Sequence, residues 1–105
     1  MITTKSQQLK AASKRYANCL FGNFERALLD DRNRSSFKLV WTTYCPPDLL
    51  ATEDRTKMKG YIEKAVRRRL KQFRHYSTRY ELNNITVDII DSELYINGRI
   101  DIHEN

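Results

Sequence analysis

Glycine is scarce in this chain: Gly22, Gly60 and Gly98 are its only three, each isolated. Phosphate-cradling loops need clustered glycines, so that successive backbone N–H groups can close on an anion, and that class of nucleotide site is excluded. Histidine and cysteine are as rare, two of each. His75 closes a cationic stretch and His103 falls in an expected frayed tail. Neither has a Cys, an Asp or a second His at ligand spacing, nor a nucleophile to pair with. Cys19 and Cys45 are neither closely spaced nor joined by other candidate ligands; with no secretory signal they read as reduced thiols of a cytosolic protein, Cys19 as a small core residue, and no disulfide framework is expected. No run approaches the ~18 apolar residues of a membrane span. Residues 1–10 are polar with no apolar centre, so no secretory leader is expected.

A chain of 105 residues, 40% apolar and 10% aromatic, suffices for one domain with one modest core, and a single domain over 1–105 is expected. Its net charge of +6 hides a division along the chain. Residues 1–76 hold 17 Lys/Arg against 7 Asp/Glu, whereas residues 77–105 hold 2 against 6. So uneven a split suits an anionic partner for the first part and leaves head-to-tail self-association open.

Apolar residues at helical spacing (Leu9, Ala12, Tyr16, Leu20, Phe24, Ala27, Leu28) predict a first helix over 5–29, capped by Thr4 or Ser6 and ended by the polar cluster 30–36. Phe37, Leu39, Trp41 and Thr43 alternate with Lys38, Val40, Thr42 and Tyr44, which predicts a strand that Pro46-Pro47 stops. Thr52 as N-cap, with Glu53 and Asp54 in the first turn, opens a second helix over 53–76. Met58, Tyr61, Ile62, Ala65, Val66 and Phe73 form its apolar arc. Arg69 points into that arc, where its stem runs along the core edge or it pairs with a carboxylate. Ile85, Val87 and Ile89 then face Leu94, Ile96, Ile100 and Ile102 across a turn at Asp91-Ser92-Glu93. Tyr80 and Leu82 have the opposite parity, which places a bulge at Asn83-Asn84; Gly98, mid-strand, marks a bulge or a close backbone approach. The expected fold is α+β, two amphipathic helices on a small, mainly antiparallel three-stranded sheet in the order α-β-α-β-β.

The segment 55–74 is the feature that carries function. It holds nine basic residues against Glu63 alone. Lys57, Lys64, Arg67, Arg68, Lys71 and Arg74 occupy the arc opposite the apolar one, and a like-charged face of this kind suits phosphate backbone, whose counterions it displaces. Tyr61, Gln72, Phe73, His75, Tyr76 and Tyr80 lie close enough in sequence to stack on bases or bond phosphate. With no paired Asn/Gln set to read base edges, little sequence specificity is expected. The expectation is a non-enzymatic binder of DNA or RNA that needs no cofactor; the alternative is an interaction module that sets the same helix, or the hairpin edge, against an acidic protein surface. The element order is also that of a winged helix, but a second helix this long and an acidic hairpin tip argue against it. Membrane binding is not expected, because the core needs the apolar arc. Asp88, Asp91, Glu93 and Asp101 fall on an outward face or a turn, where carboxylates are ordinarily solvated, and the run Asp48, Glu53-Asp54-Arg55 is better explained by helix capping than as a nuclease site. Val40, Tyr44, Ile90 and Tyr95 are apolar at outward positions. They mark a partner or dimer surface unless a helix packs on each face of the sheet.

Overall fold

The computed structural model describes residues 4–31, 33–44, 52–72 and 78–104. In chain order these form α1 (Lys5–Asp30), β1 (Ser36–Tyr44), α2 (Thr52–Gln72), β2 (Thr78–Ile90) and β3 (Glu93–Glu104). The fold is α+β, as the pattern predicts. Cys45, Phe73, Arg74, His75 and Tyr76 lie outside the described residues, and α2 is accordingly followed to Gln72.

Local chemistry sets each element. At the start of α1, Thr4 caps the helix in a reciprocal box: its Oγ1 accepts from the Gln7 N–H at 3.2 Å, and Gln7 Oε1 accepts from the Thr4 N–H at 3.0 Å. Two donors that helix geometry orphans are thereby satisfied. The hairpin between β2 and β3 closes on the pair Ile90↔Glu93, so its loop is two residues, Asp91 and Ser92, and Glu93 belongs to the strand. Both loop residues have positive φ, 50° and 65°, the condition for a turn whose twist matches the strands. The predicted bulge is present as a register shift between Asn83 and Thr86, with Asn84 at φ 58°.

The sheet order is β1-β3-β2, with β3 antiparallel to both neighbours. The helices run parallel: Lys5 meets Asp54, Lys10 meets Tyr61 and Asn18 meets Arg69, so position along α1 rises with position along α2. Packing of α1 on β1 and α2 on β2 makes two layers, helices over one face of the sheet. The core lies between them. Phe24, Phe37, Leu9, Leu20, Leu39, Met58, Ile62, Leu94, Ile96, Ile100 and Val66 are fully buried, each contributing on the order of 1.5–3 kcal/mol relative to exposure. Phe24 stands at the centre, with ring centroids 5.5 Å from Phe37 and 5.8 Å from Tyr80. Gly98 answers to the close approach expected of it: a β-carbon there would lie 2.6 Å from Ile85 Cδ1, so the bulge seats Ile85 directly over the glycine.

Burial in the strands fixes what the helices leave uncovered. Phe37, Leu39, Leu82, Ile85, Leu94, Ile96 and Ile100 point inward. Lys38, Val40, Thr42 and Tyr44 on β1 are exposed on the other face, as are Arg99 and His103 on β3 and Arg79, Glu81, Asp88 and Ile90 on β2. His103 is therefore not in a frayed tail. It pairs in register with Arg79 and stands 3.1 Å from Glu81 Oε2, contacts a terminal strand gains only by being in the sheet.

Candidate nucleic-acid interface

The α2 sequence places charge by period. Lys57, Lys64 and Lys71 recur every seventh residue and so share nearly one azimuth, with Arg67 and Arg68 filling the turn between them. Met58, Ile62, Val66 and Leu70 take the core side, and the cations are left facing solvent. A shallow concave strip results, lined by Lys57, Gly60, Tyr61, Glu63, Lys64, Arg67, Arg68 and Lys71 together with Thr56. From Lys57 to Lys71 it runs about 21 Å at 1.5 Å per residue. Among its lining residues Glu63 is the single acid, and Arg67 Nη1 lies 3.3 Å from Glu63 Oε2. Arg67 is thus partly neutralised.

Gly60 sits in the floor of this strip, mid-helix and exposed. Nothing lies within 4 Å of where its β-carbon would be. Glycine there costs about 1 kcal/mol of helix stability relative to alanine, and no internal contact requires it.

Five of the six cations expected to bind nucleic acid, Lys57, Lys64, Arg67, Arg68 and Lys71, lie exposed on this one side of α2; the sixth, Arg74, lies outside the described residues. Arg69 does not join them. It reaches back to α1, where its guanidinium lies 4.5 Å from the Phe21 ring centroid, donates to Asn18 Oδ1 at 2.7 Å and stands 3.7 Å from Glu25 Oε1. That is a structural clamp between the helices. At the other end of the seam, Lys5 Nζ stands 2.8 Å from Asp54 Oδ2, whose residue is 4% exposed. Tyr61, considered for base stacking, is half-buried with the Lys10 ammonium 5.7 Å from its ring centroid.

Sequence reasoning missed the contribution of α1. Because the helices are parallel and adjacent, Lys10 lies beside the strip, and Lys14 and Arg15 line a second shallow depression on the solvent side of α1 with Gln8, Ala11 and Asn18. The signal available was the exposure of those positions on the polar side of the first helix. Together α1 and α2 carry 13 Lys/Arg and 5 Asp/Glu, whereas residues 36–44 and 78–104 carry 3 and 6. The division along the chain has become a division between layers.

The residues expected to mark a partner surface also fall together. Val40, Tyr44 and Ile90 are 42%, 64% and 54% exposed, and with Tyr95 they occupy one end of the uncovered sheet face. Tyr95 donates its hydroxyl to Glu93 Oε2 at 3.1 Å; the neutral phenol makes that bond, so its pKa is raised above the ordinary value, and the charges of Glu93 and Asp91 act in the same sense. At the opposite end burial alone would raise the Asp101 carboxyl. Hydrogen bonds from Ser36 and Asn83 (2.7 Å), with the charge and hydrogen bond of Arg99, outweigh it and hold the group below the usual carboxylate value. Asp101, expected as a solvated charge, is instead a hub of cross-strand bonds. Among the described residues no group of three or more His, Cys, Asp or Glu is placed to hold a metal ion, and no helix is long and apolar enough to cross a membrane.

No protein-family model, curated protein or solved structure matches this chain.

Proposed function

We propose that this is a small, non-enzymatic nucleic-acid-binding or nucleoprotein-associated protein. It grips phosphate backbone through Lys57, Lys64, Arg67, Arg68 and Lys71 of α2, flanked by Lys10, Lys14 and Arg15 of α1. The observation that carries this reading is the concave strip on α2, where cations recur along about four turns with one acid among them. Long cations without paired amides position a duplex or strand but do not read it, so binding is weakly dependent on sequence. The unobstructed floor at Gly60 lets a ligand backbone come close to the helix.

The test is fluorescence-anisotropy titration of the whole protein with a random duplex and a random single strand across a salt series. Four to five phosphate contacts correspond to a log–log slope of roughly −3.5 to −4.5 on duplex. Removing Arg67 and Lys71 together reduces that slope by about two for every sequence tried. Absence of binding at low salt overturns the reading.

A second reading is favoured by the exposure of Tyr44 and Ile90: an interaction module that sets the basic helix, or the hairpin end of the sheet, against another protein. In that case alanine at Tyr44, Ile90 or Tyr95 weakens partner binding more than loss of any one cation, because interface energy concentrates in buried aromatics.

A further inference from the structure

The uncovered sheet face is not uniform. In its far half the carboxylates are bonded within the face: Glu81 meets His103 at 3.1 Å, and Asp101 meets Arg99 at 3.2 Å and Asn83 at 2.7 Å. The hairpin half differs. Its rows read Tyr44–Glu93–Ile90, Thr42–Tyr95–Asp88 and Val40–Asn97–Thr86 across β1, β3 and β2. Among the described residues no cation pairs with Asp88, Asp91 or Glu93; the exposed Tyr44 and Ile90 flank Glu93, and Val40 lies farther along the β1 edge. The patch measures about 10 Å across the strands and about 14 Å along them.

We infer that this acidic, apolar end receives the basic α2 face of a second copy of the chain, so that molecules associate head to tail. Charge selects the occupant. The patch holds acids and no cation, and the helical layer of the same molecule holds 13 Lys/Arg against 5 Asp/Glu. Two sheets stacked about a twofold axis centred on the patch bring Asp88 and Glu93 of one copy against the same acids of the other, which is repulsive. Pairing along the sheet edges is disfavoured as well. Asn23 Nδ2 occupies the outer edge of β1 through the Val40 carbonyl at 3.3 Å, and the bulge at 83–86 breaks the edge of β2. Helix on sheet is the arrangement left, and it is heterologous: each molecule keeps one surface of each kind free, and chains grow. The patch is far smaller than the ~800 Å² per partner of a stable interface, so the association is weak and strongly salt-dependent. It draws on the same α2 cations as phosphate binding, and nucleic acid therefore competes with it.

Sedimentation velocity of the full chain tests this at about 0.05 M and about 0.5 M salt, where the screening length falls from roughly 14 to 4 Å. Two variants accompany the wild type: a sheet variant, Asp88→Lys with Ile90→Lys, and a helix variant, Lys64→Glu with Arg68→Glu. Circular dichroism establishes that both are folded. The wild type is expected to sediment faster with rising concentration at low salt and as a monomer at high salt. Each variant alone is expected to stay monomeric at low salt, with its affinity for itself reduced at least tenfold. The sheet variant retains an intact helix and the helix variant an intact sheet, so an equimolar mixture forms two-chain species and nothing larger. A wild type that stays monomeric, a mixture that stays monomeric, or a helix variant that still dimerises through its sheet each overturns the inference. The sheet variant keeps its affinity for an oligonucleotide, which separates failure here from failure of the phosphate-binding reading.

Discussion

Replacing Glu63 by Gln is the perturbation that bears most directly on the α2 strip, because it predicts a gain. Loss of binding on removing a cation can follow from unfolding; tighter binding cannot. Glu63 is the acid among the strip's lining residues, and its carboxylate lies 3.3 Å from Arg67 Nη1. A phosphate bonded to Arg67 lies about 6 Å from that carboxylate, and two unit charges at that distance repel by roughly 0.7 kcal/mol in water. Screening at physiological salt reduces this to about 0.3 kcal/mol, a gain in affinity of about 1.7-fold on neutralising Glu63. Arg67, no longer shared, then displaces its counterion fully, and the log–log salt slope steepens by up to about 0.9. The helix loses one exposed i,i+4 pair, worth about 0.3–0.5 kcal/mol, so a small fall in Tm accompanies tighter binding. Anisotropy with two unrelated duplexes measures the effect. Unchanged or weaker affinity with an unchanged slope refutes the assignment of this strip to phosphate.

Three further outcomes are expected. Gly60→Ala fits without contact and raises Tm by several degrees, from a helix gain of about 1 kcal/mol; Gly60→Met keeps most of that gain but fills the floor of the strip, and oligonucleotide affinity falls unless the floor is never approached. Gly98→Ala drives a methyl to 2.6 Å from Ile85 Cδ1 and destabilises by about 1–2 kcal/mol in urea unfolding; in an Ile85→Val background, which lacks that methyl, the same change is neutral or stabilising, and additivity of the two overturns the packing argument. Because the folded Asp101 carboxyl is held below its ordinary pKa, the stability it adds is present above the ordinary value near 4 and is lost as pH falls through the folded one; the stability gap between wild type and Asp101→Asn therefore narrows from pH 7 to about pH 3, and a constant gap contradicts the cross-strand account.

The legible features of the chain were the local ones. Spacing of three and four put Leu9, Tyr16, Leu20 and Phe24 on one side of α1, and alternation put Ile85 and Ile96 on the same side of the sheet; both depend only on the geometry of one element. Parity reversal between Leu82 and Ile85 located the bulge for the same reason. Leu70 was missed although it lies four residues beyond Val66, because the cations on either side disguise it. What joins elements was not legible. Asn18 and Arg69 meet across 51 residues, and no local pattern announces that two helices separated by a strand run parallel. The flanking cations of α1 were hidden with that fact. Alternation identified Val40, Tyr44, Ile90 and Tyr95 as outward but left open whether a helix covers them, since the side of a strand a residue occupies says nothing of what lies opposite.

The uncovered face follows from size. Three strands at about 4.8 Å spacing make a sheet some 10–15 Å wide, and helices pack about 10 Å apart, so two helices cover one face and none is left for the other. Solubility alone would be met by spreading charge over that face, as its far half does with Lys38, Arg99, Asp101 and Glu81. Solubility does not account for gathering Tyr44, Ile90 and Val40 at one end among unmatched acids, nor for setting most of the positive charge on the opposite layer. A molecule so divided turns in an external field: its helices lead toward a polyanion, and its sheet faces away. At protein concentrations too low for self-association, substitutions on the two layers should therefore act independently on oligonucleotide affinity. Asp88→Lys on the far side leaves the contact itself untouched and adds only a long-range attraction that 0.15 M salt screens within about 8 Å, whereas Lys64→Glu removes a contact at any salt.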